Sequence, residues 1–144
     1  MAKRLRKRLA AETPSIASVD VVEASAEQLP FENESFDTVV ATLVLGSVED
    51  PARALGEIAR VLNPGGRFLY LEHVRSESPR LARWQDRLER PWGWFGGGCH
   101  PNRPTAETLD ASKLEVERLE RGQTPKAPPL VRPVIRGVAS RPAR

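Results

Sequence analysis

The sequence predicts a single α/β domain built on a parallel sheet. Two short, almost wholly apolar runs, Phe36–Leu45 and Arg67–Val74, are predicted to be buried strands, and Asp50–Leu62 between them an amphipathic helix. Strands that are apolar on both faces are typical of a parallel sheet covered by helices on both sides, because strands with one wet face alternate polar and apolar residues. A chain of 144 residues with 40% apolar content is long enough for one domain with a sizeable core.

Charge and cysteine usage narrow the function classes. The net charge is +3, and basic residues cluster in Lys3–Arg8 and after Glu120. Such ends contact phosphate or an anionic membrane, or are simply solvated; no binding motif accompanies them, so we do not expect nucleic-acid binding. Cys99 is the only cysteine, which excludes an intrachain disulfide and a cysteine-based zinc cage and favours a cytoplasmic setting. No run reaches the roughly 20 apolar residues of a membrane-spanning helix.

The first half of the chain carries clear start and stop signals. Met1–Glu12 is predicted to be a short surface helix, and Val19–Glu23 a short strand. Asp50-Pro51 is a strong helix start, because Asp caps free amides and Pro is tolerated at the first helical position. Asn63-Pro64-Gly65-Gly66 then ends this helix and turns the chain into the next strand.

The second half is predicted from similar signals. Ser78-Pro79 begins another helix, with Leu81, Trp84 and Leu88 as its apolar seam. Pro91–Gly98 combines three aromatic residues with four glycines, so we expect a loop that acts either as a mobile lid or as a patch on the edge of the core. The remaining predicted elements are the helix Thr105–Ser112 and two strands, Leu114–Leu119 and Val134–Ala139, which form an antiparallel pair.

An ordered series of motifs resembles a known family. The motifs are Ala26-Glu27-Gln28-Leu29-Pro30-Phe31, then Ser35-Phe36-Asp37, then Glu57–Gly66. In this order they resemble the class I S-adenosylmethionine-dependent methyltransferases with a methyltransferase type 11 domain. Gly98–Arg103 and Leu130–Gly137 are similar to a narrower branch that includes thiol S-methyltransferase-like proteins. The resemblance covers nearly the whole chain, residues 1–144, as the C-terminal portion of a methyltransferase domain.

The resemblance implies a partial Rossmann-like sheet. The family has seven strands in the order 3-2-1-4-5-7-6, with strand 7 antiparallel. Val19–Glu23 would be strand 3, and the four strands predicted after it would be strands 4, 5, 6 and 7. Strands 1 and 2 have no counterpart in this sequence, nor has the glycine-rich loop that holds the methionine part of the cofactor. We therefore expect an N-terminally truncated chain with an exposed strand 4 edge and impaired activity.

The resemblance also implies site residues. Ser25, Ala26 and Glu27 follow strand 3 where the family binds adenine; Ser25 replaces the usual Asp and accepts a hydrogen bond less strongly. Thr42, Leu43 and Val44 at the end of strand 4 either line the cofactor, S-adenosylmethionine, or are plain strand core. Glu72 is expected at the acceptor side, and Cys99, His100 and Asn102 are expected either to line the acceptor site or to anchor a loop. His73 is either a base for a thiol or hydroxyl, or a structural histidine.

Two functions of different classes remain at this point. The first is methyl transfer from S-adenosylmethionine to a small apolar acceptor, a thiol or a lipid-like amine. The second is a non-catalytic remnant that acts as an interaction module or self-associates through its exposed strand edge. Peripheral contact with a membrane is a further open possibility for which the sequence offers only the basic ends. A metal site is not expected.

Overall fold

The computed structural model describes residues 19–143 and contains four strands and three α-helices in that range. In chain order these elements are β1 (Phe36–Thr42), α1 (Pro51–Val61), β2 (Leu62–His73), α2 (Pro79–Phe95), α3 (Thr105–Asp110), β3 (Glu115–Gln123), a 3-10 turn (Pro129–Val131) and β4 (Pro133–Ser140). The predicted helix at Met1–Glu12 lies outside the described residues.

The four strands form one mixed sheet in the order β1-β2-β4-β3. β1 runs parallel to β2, and β4 is antiparallel to both β2 and β3. This arrangement is the expected 4-5-7-6 part of the family order, so the partial Rossmann-like sheet is confirmed. Within residues 19–143, β1 forms one edge of the sheet, as expected for a sheet without strands 1 and 2.

Helix α1 shows why the strand-helix-strand unit is so well specified. The Asp50 side chain accepts a hydrogen bond from the backbone N–H of Arg53 at 3.0 Å, and Pro51 is the first helical residue. The helix is amphipathic, as predicted, and its buried residues Leu55, Ile58 and Ala59 belong to the same core cluster as Phe68 and Tyr70 of the sheet. β2 begins at Leu62, directly after the helix, rather than at Arg67. The predicted turn residues 63–66 are therefore part of the strand.

Three predictions about secondary structure were wrong. Val19–Glu23 adopts no regular structure, and both Val19 and Val22 are exposed. β1 ends at Thr42, so the residues as far as Leu45 form a loop. Pro91–Phe95 is the end of α2 and not a loop.

The extension of α2 through Pro91 changes the shape of the aromatic segment. Proline removes one helical hydrogen bond and yet lies inside α2, whose last turn closes with a bond from the Gly96 N–H to the Trp92 carbonyl. The predicted apolar seam is also wrong at Trp84, which is 55% exposed, whereas Gln85 is fully buried. Gln85 is buried because its amide approaches the carbonyls of Val74, Pro101 and Leu130, which fixes α2 at the end of the sheet.

The core lies on one face of the sheet. Phe68 and Tyr70 of β2 pack there against α1 and α3. On the opposite face, Val40 is 66% exposed, and Leu69 and Leu71 are also exposed. Helices therefore cover one face of the sheet within residues 19–143, and not both as the apolar strands predict. No helix in this range is long and apolar enough to cross a membrane.

Candidate functional site

A buried carboxylate organises the loop at the end of β1. Glu72, the penultimate residue of β2, is fully buried. Its two oxygens accept hydrogen bonds from the backbone N–H groups of Val44 at 2.9 Å and Leu45 at 3.0 Å. Burial raises the pKa of the Glu72 carboxyl, and the backbone N–H groups of residues 44–46 act in the opposite direction. Glu72 therefore fixes the loop after β1 and is not a free wall of an acceptor pocket.

Leu43 begins that loop in an unusual backbone conformation. Its φ is +57°, in the left-handed region that non-glycine residues seldom adopt, and its N–H donates to the Leu71 carbonyl at 2.8 Å. The Leu43 side chain is 42% exposed beyond the end of the sheet. A leucine held in this strained conformation with its side chain outward is typical of a residue that contacts a ligand, because strain of this kind concentrates at functional sites.

The turn at Ser25–Glu27 is attached to the start of α1. One oxygen of Glu27 accepts from the backbone N–H groups of Glu49 at 2.7 Å and Asp50 at 3.3 Å. The exposed Ser25 hydroxyl oxygen accepts from the Glu27 N–H at 3.2 Å, and Ala26 packs against the same core cluster as Val44. The structure thus brings the turn and the loop after β1 to the same end of the sheet.

The segment 99–103 packs on the other side of the β1 loop. The His100 N–H donates to the Gly46 carbonyl at 2.8 Å, and the Arg103 guanidinium donates to the Leu45 carbonyl at 2.8 Å. Cys99 Sγ lies 3.4 Å from the place that a Cβ on Gly46 would occupy. Burial raises the pKa of the Cys99 thiol, as does the nearby Glu72 carboxyl, while Arg103 lowers it. The half-buried Cys99 is therefore favoured as a neutral thiol.

His100 is paired with a carboxylate at the mouth of an apolar groove. Its Nδ1 lies 2.6 Å from Oε1 of Glu89, and a carboxylate in this position accepts the Nδ1 proton, which leaves Nε2 able to accept another. The groove has a volume of about 540 Å³ and is lined mainly by apolar atoms of residues 89–100. His100 and Trp94 contribute to its wall. The pairing with Glu89 could not be predicted from sequence, because it requires α2 to extend to residue 95.

Two predicted site residues lie elsewhere. His73 follows Glu72 in β2, and because neighbouring strand residues point to opposite faces, the two side chains lie on opposite faces of the sheet. His73 is half-buried, and burial lowers its pKa, with the Pro133 backbone acting in the opposite direction; its Nδ1 has no hydrogen-bond partner among the described residues. The Asn102 side chain donates to Asp86 at 3.2 Å and is absent from the groove wall.

Comparisons with known proteins bear on this geometry. A family model described as a methyltransferase domain (type 11) matches residues 1–70. Human thiol S-methyltransferase TMT1A is 38% identical over 120 residues, which are 83% of this chain and 49% of the relative. The ubiquinone/menaquinone biosynthesis C-methyltransferase UbiE of Bartonella bacilliformis is 47% identical over 68 residues, covering 47% of this chain and 26% of the relative.

The fold agrees with these sequence matches. A solved structure of a SAM-dependent methyltransferase from Methanosarcina mazei superposes with a TM-score of 0.69 at 21% identity, covering 98% of this chain and 77% of that one. The chain belongs to the class I methyltransferase family. It spans about half the length of the curated thiol S-methyltransferase relatives that it matches, or less.

Family membership gives the two loops their interpretation. In class I methyltransferases, as in other open α/β sheets, ligands bind at the carboxyl ends of the parallel strands. This chain places Ser25–Glu27 and Leu43–Val44 at that end, together with the Glu72 carboxylate that holds the second of them. Among residues 19–143, no three His, Cys, Asp or Glu side chains gather closely enough to hold a metal ion.

Proposed function

We propose that this chain supplies the adenine-side and acceptor-side walls of an S-adenosylmethionine-dependent methyltransferase that acts on a small apolar thiol. The observation that supports it best is the meeting of two segments at the end of β1. The loop held by Glu72 faces the expected cofactor side, and the His100–Glu89 pair stands at an apolar groove next to it.

The residues at the end of β1 fit one side of the cofactor. Leu43 offers an exposed apolar surface for an adenine ring, and the exposed hydroxyls of Thr42 and Ser25 offer hydrogen-bonding groups at either side of it. Ser25 already accepts one bond from Glu27, and its oxygen keeps a second lone pair for an amino group. The fit is therefore with the adenine part of S-adenosylmethionine, and the neighbouring residues Ala26 and Val44 pack against the core.

The groove beside His100 suits an apolar acceptor. Apart from Glu89, Arg90 and His100, the residues that line the groove are proline, glycine and tryptophan. Such a surface excludes water from a bound thiol, so the His100 imidazole is the group in the groove that accepts the thiol proton. TMT1A is named as a thiol S-methyltransferase and UbiE as a C-methyltransferase, so the similarity to TMT1A and the mainly apolar lining of the groove together favour the thiol.

The chemistry requires positioning and one proton transfer. When bound, S-adenosylmethionine supplies an electrophilic methyl group on a sulfonium. Nε2 of His100 would take the proton of the acceptor S–H, and Glu89 would stabilise the resulting imidazolium through Nδ1–H, so that the thiolate could accept the methyl group that bound S-adenosylmethionine would supply. Products are the methyl thioether and S-adenosylhomocysteine, with one proton released to water from His100.

The test measures S-adenosylhomocysteine formed by the purified chain with a small alkyl thiol. His100→Asn is expected to lower kcat by roughly 10²–10⁴ at neutral pH. The loss is expected to shrink as the pH approaches the pKa of the acceptor thiol, because the thiolate then forms without a base. His73→Asn is the matched variant at the rival histidine, and a larger loss there than at His100 would show that the base is assigned wrongly. No heat on titrating S-adenosylmethionine into high micromolar protein would overturn the proposed activity for this chain.

A second candidate function rests on the sheet edge. β1 has one hydrogen-bonded neighbour in the sheet of residues 19–143, and Val40 at this edge is 66% exposed. An edge strand with an apolar exposed residue is a template for pairing with a strand of another chain. We propose self-association through β1 as the alternative to catalysis by the chain alone.

Light scattering during gel filtration tests this alternative. Pairing through β1 predicts a dimer that dissociates when Val40 is replaced by lysine, since a charge on an edge strand opposes sheet extension. Thr38→Lys is the matched variant, because it places the same charge on the same face of β1 at a second position along the edge. A concentration-independent monomer would contradict the alternative and leave methyl transfer as the function to test.

A further inference from the structure

The exposed face of α2 combines arginines with aromatic residues. With one residue every 100°, its exposed arginines, tryptophans and phenylalanine fall within an arc of about 140°, and the exposed Asp86 lies just outside this arc. The arginines in this arc are all exposed: Arg80, Arg83, Arg87 and Arg90. The acidic residues of the helix lie outside the arc, where Asp86 pairs with Arg75 and Glu89 with His100. The positive charge of this face is therefore not neutralised by its own helix.

Three aromatic side chains project from the same face. Trp94 is 91% exposed, Phe95 is 88% exposed and Trp84 is 55% exposed. Exposure of a large aromatic side chain to water is unfavourable compared with its burial. Several such side chains on one face are typical of a surface that binds a partner. Two of them are adjacent at the end of α2, next to the groove that contains His100.

We propose that this face of α2 docks the chain on an anionic lipid bilayer. A helix that lies in a membrane interface has arginine or lysine on its polar positions and tryptophan or phenylalanine on the side that enters the headgroup region. Arginines attract anionic headgroups, and Trp94 and Phe95 supply the apolar insertion at one end of the helix. The occupant is a lipid surface rather than a nucleic acid, because the aromatic pair stands at the helix tip beside an apolar groove and not along a charged groove in which bases stack.

Docking in this orientation has a consequence for the acceptor. The groove shares Arg90, Pro91 and Trp94 with the docking face, so its mouth opens at the lipid surface. An apolar thiol dissolved in the bilayer then reaches His100 without crossing bulk water. This consequence rests on the proposed methyl transfer, whereas lipid binding itself does not and is measured without cofactor or thiol.

Sedimentation with lipid vesicles tests the docking directly. The chain is expected to bind vesicles of phosphatidylcholine with phosphatidylserine more tightly than phosphatidylcholine alone, with weaker binding as salt rises. Trp94→Ala with Phe95→Ala is expected to lower the partition coefficient at least tenfold. Arg83→Gln and Arg87→Gln are each expected to lower it about fivefold. Arg118→Gln, at an exposed arginine of β3, is the matched control and is expected to leave binding unchanged.

The aromatic variants separate docking by α2 from attraction by the basic residues near the N-terminus. Lys3–Arg8 are unchanged in all of these variants, so binding that survives loss of Trp94 and Phe95 would overturn the proposal. Brominated lipids provide a second readout, because they quench only tryptophans that enter the bilayer. Quenching that disappears in Trp94→Phe supports insertion at this site. Equal quenching in that variant, or displacement from vesicles by a single-stranded oligonucleotide, would contradict it.

Discussion

Replacement of Glu72 by glutamine tests the central contact of the site. The Glu72 carboxylate accepts from the Val44 and Leu45 N–H groups at 2.9 and 3.0 Å, and glutamine offers one carbonyl oxygen where the carboxylate has two acceptors. The glutamine NH₂ then faces a backbone N–H, so one of the two amides loses its partner. A hydrogen bond to a charged acceptor contributes about 1.5–3 kcal/mol. We expect the free energy of local opening of the loop to fall by that amount.

Amide hydrogen exchange measured by NMR reads this change residue by residue. A loss of about 1.5–3 kcal/mol corresponds to faster exchange by roughly 10- to 150-fold at Val44 or Leu45. Global stability is expected to change less than this, because the substitution also removes a carboxyl whose pKa is raised by burial and whose charge is costly in place. Glu117→Gln, at an exposed position of β3, is the matched control. Unchanged protection at both Val44 and Leu45 would refute the claim that Glu72 holds the loop.

Three further predictions concern stability. Gly137→Ala places a Cβ against a carbonyl oxygen of β3 and 2.6 Å from the Tyr70 hydroxyl oxygen, so we expect the free energy of unfolding measured in urea to fall by about 2 kcal/mol or more. Gly56→Ala is the matched control: a Cβ there meets no atom within 4 Å and is expected to stabilise α1. Equal effects of the two substitutions would contradict the argument. The arginine partner of Glu57 lowers the pKa of that carboxyl to about 2, so its contribution, about 1 kcal/mol, is present above pH 4.5 and lost as the pH falls towards 2. The stability difference between wild type and Glu57→Gln should shrink over that range, and a constant difference would count against the ion pair. Burial lowers the pKa of His73, so its protonation opposes folding below pH 6.5, and His73→Asn should remove that part of the acid dependence of unfolding.

The parts of the fold that were predictable carry local signals. Three local signals each indicate a single secondary structure without conflict: the Asp50-Pro51 helix start, the apolar side of α1 and the apolar run Arg67–Val74. The antiparallel pairing of β3 and β4 followed from the Pro-rich connection and is confirmed. The predicted strand at Val19–Glu23 was wrong because strand propensity depends on the surroundings of a segment, and this segment lies outside the four-stranded sheet with Val19 and Val22 exposed.

The contacts of the candidate site were not predictable from the sequence. Resemblance to the family indicated two segments for the cofactor side, the Ser25–Glu27 turn and Leu43–Val44, and both lie at the end of the sheet where β1 ends. Their role in cofactor binding stays a prediction. The Glu72 carboxylate binds the N–H groups of Val44 and Leu45, which lie 28 and 27 positions away in the sequence, and no periodic pattern of residues predicts such a contact. The pairing of His100 with Glu89 was missed because glycines and Pro91 predicted a loop, while the structure continues α2 to Phe95 and so brings Glu89 to the groove.

Titration of S-adenosylmethionine into isotopically labelled chain, followed by amide chemical shifts, tests the central claim most directly. The account predicts saturable shifts at Ser25–Glu27 and at Thr42–Val44, where the exposed hydroxyls and the Leu43 side chain form the adenine side of the site. It also predicts weaker binding in Glu72→Gln, whose loop is less ordered. Shifts confined to other segments, or no shifts at millimolar cofactor, would contradict the account.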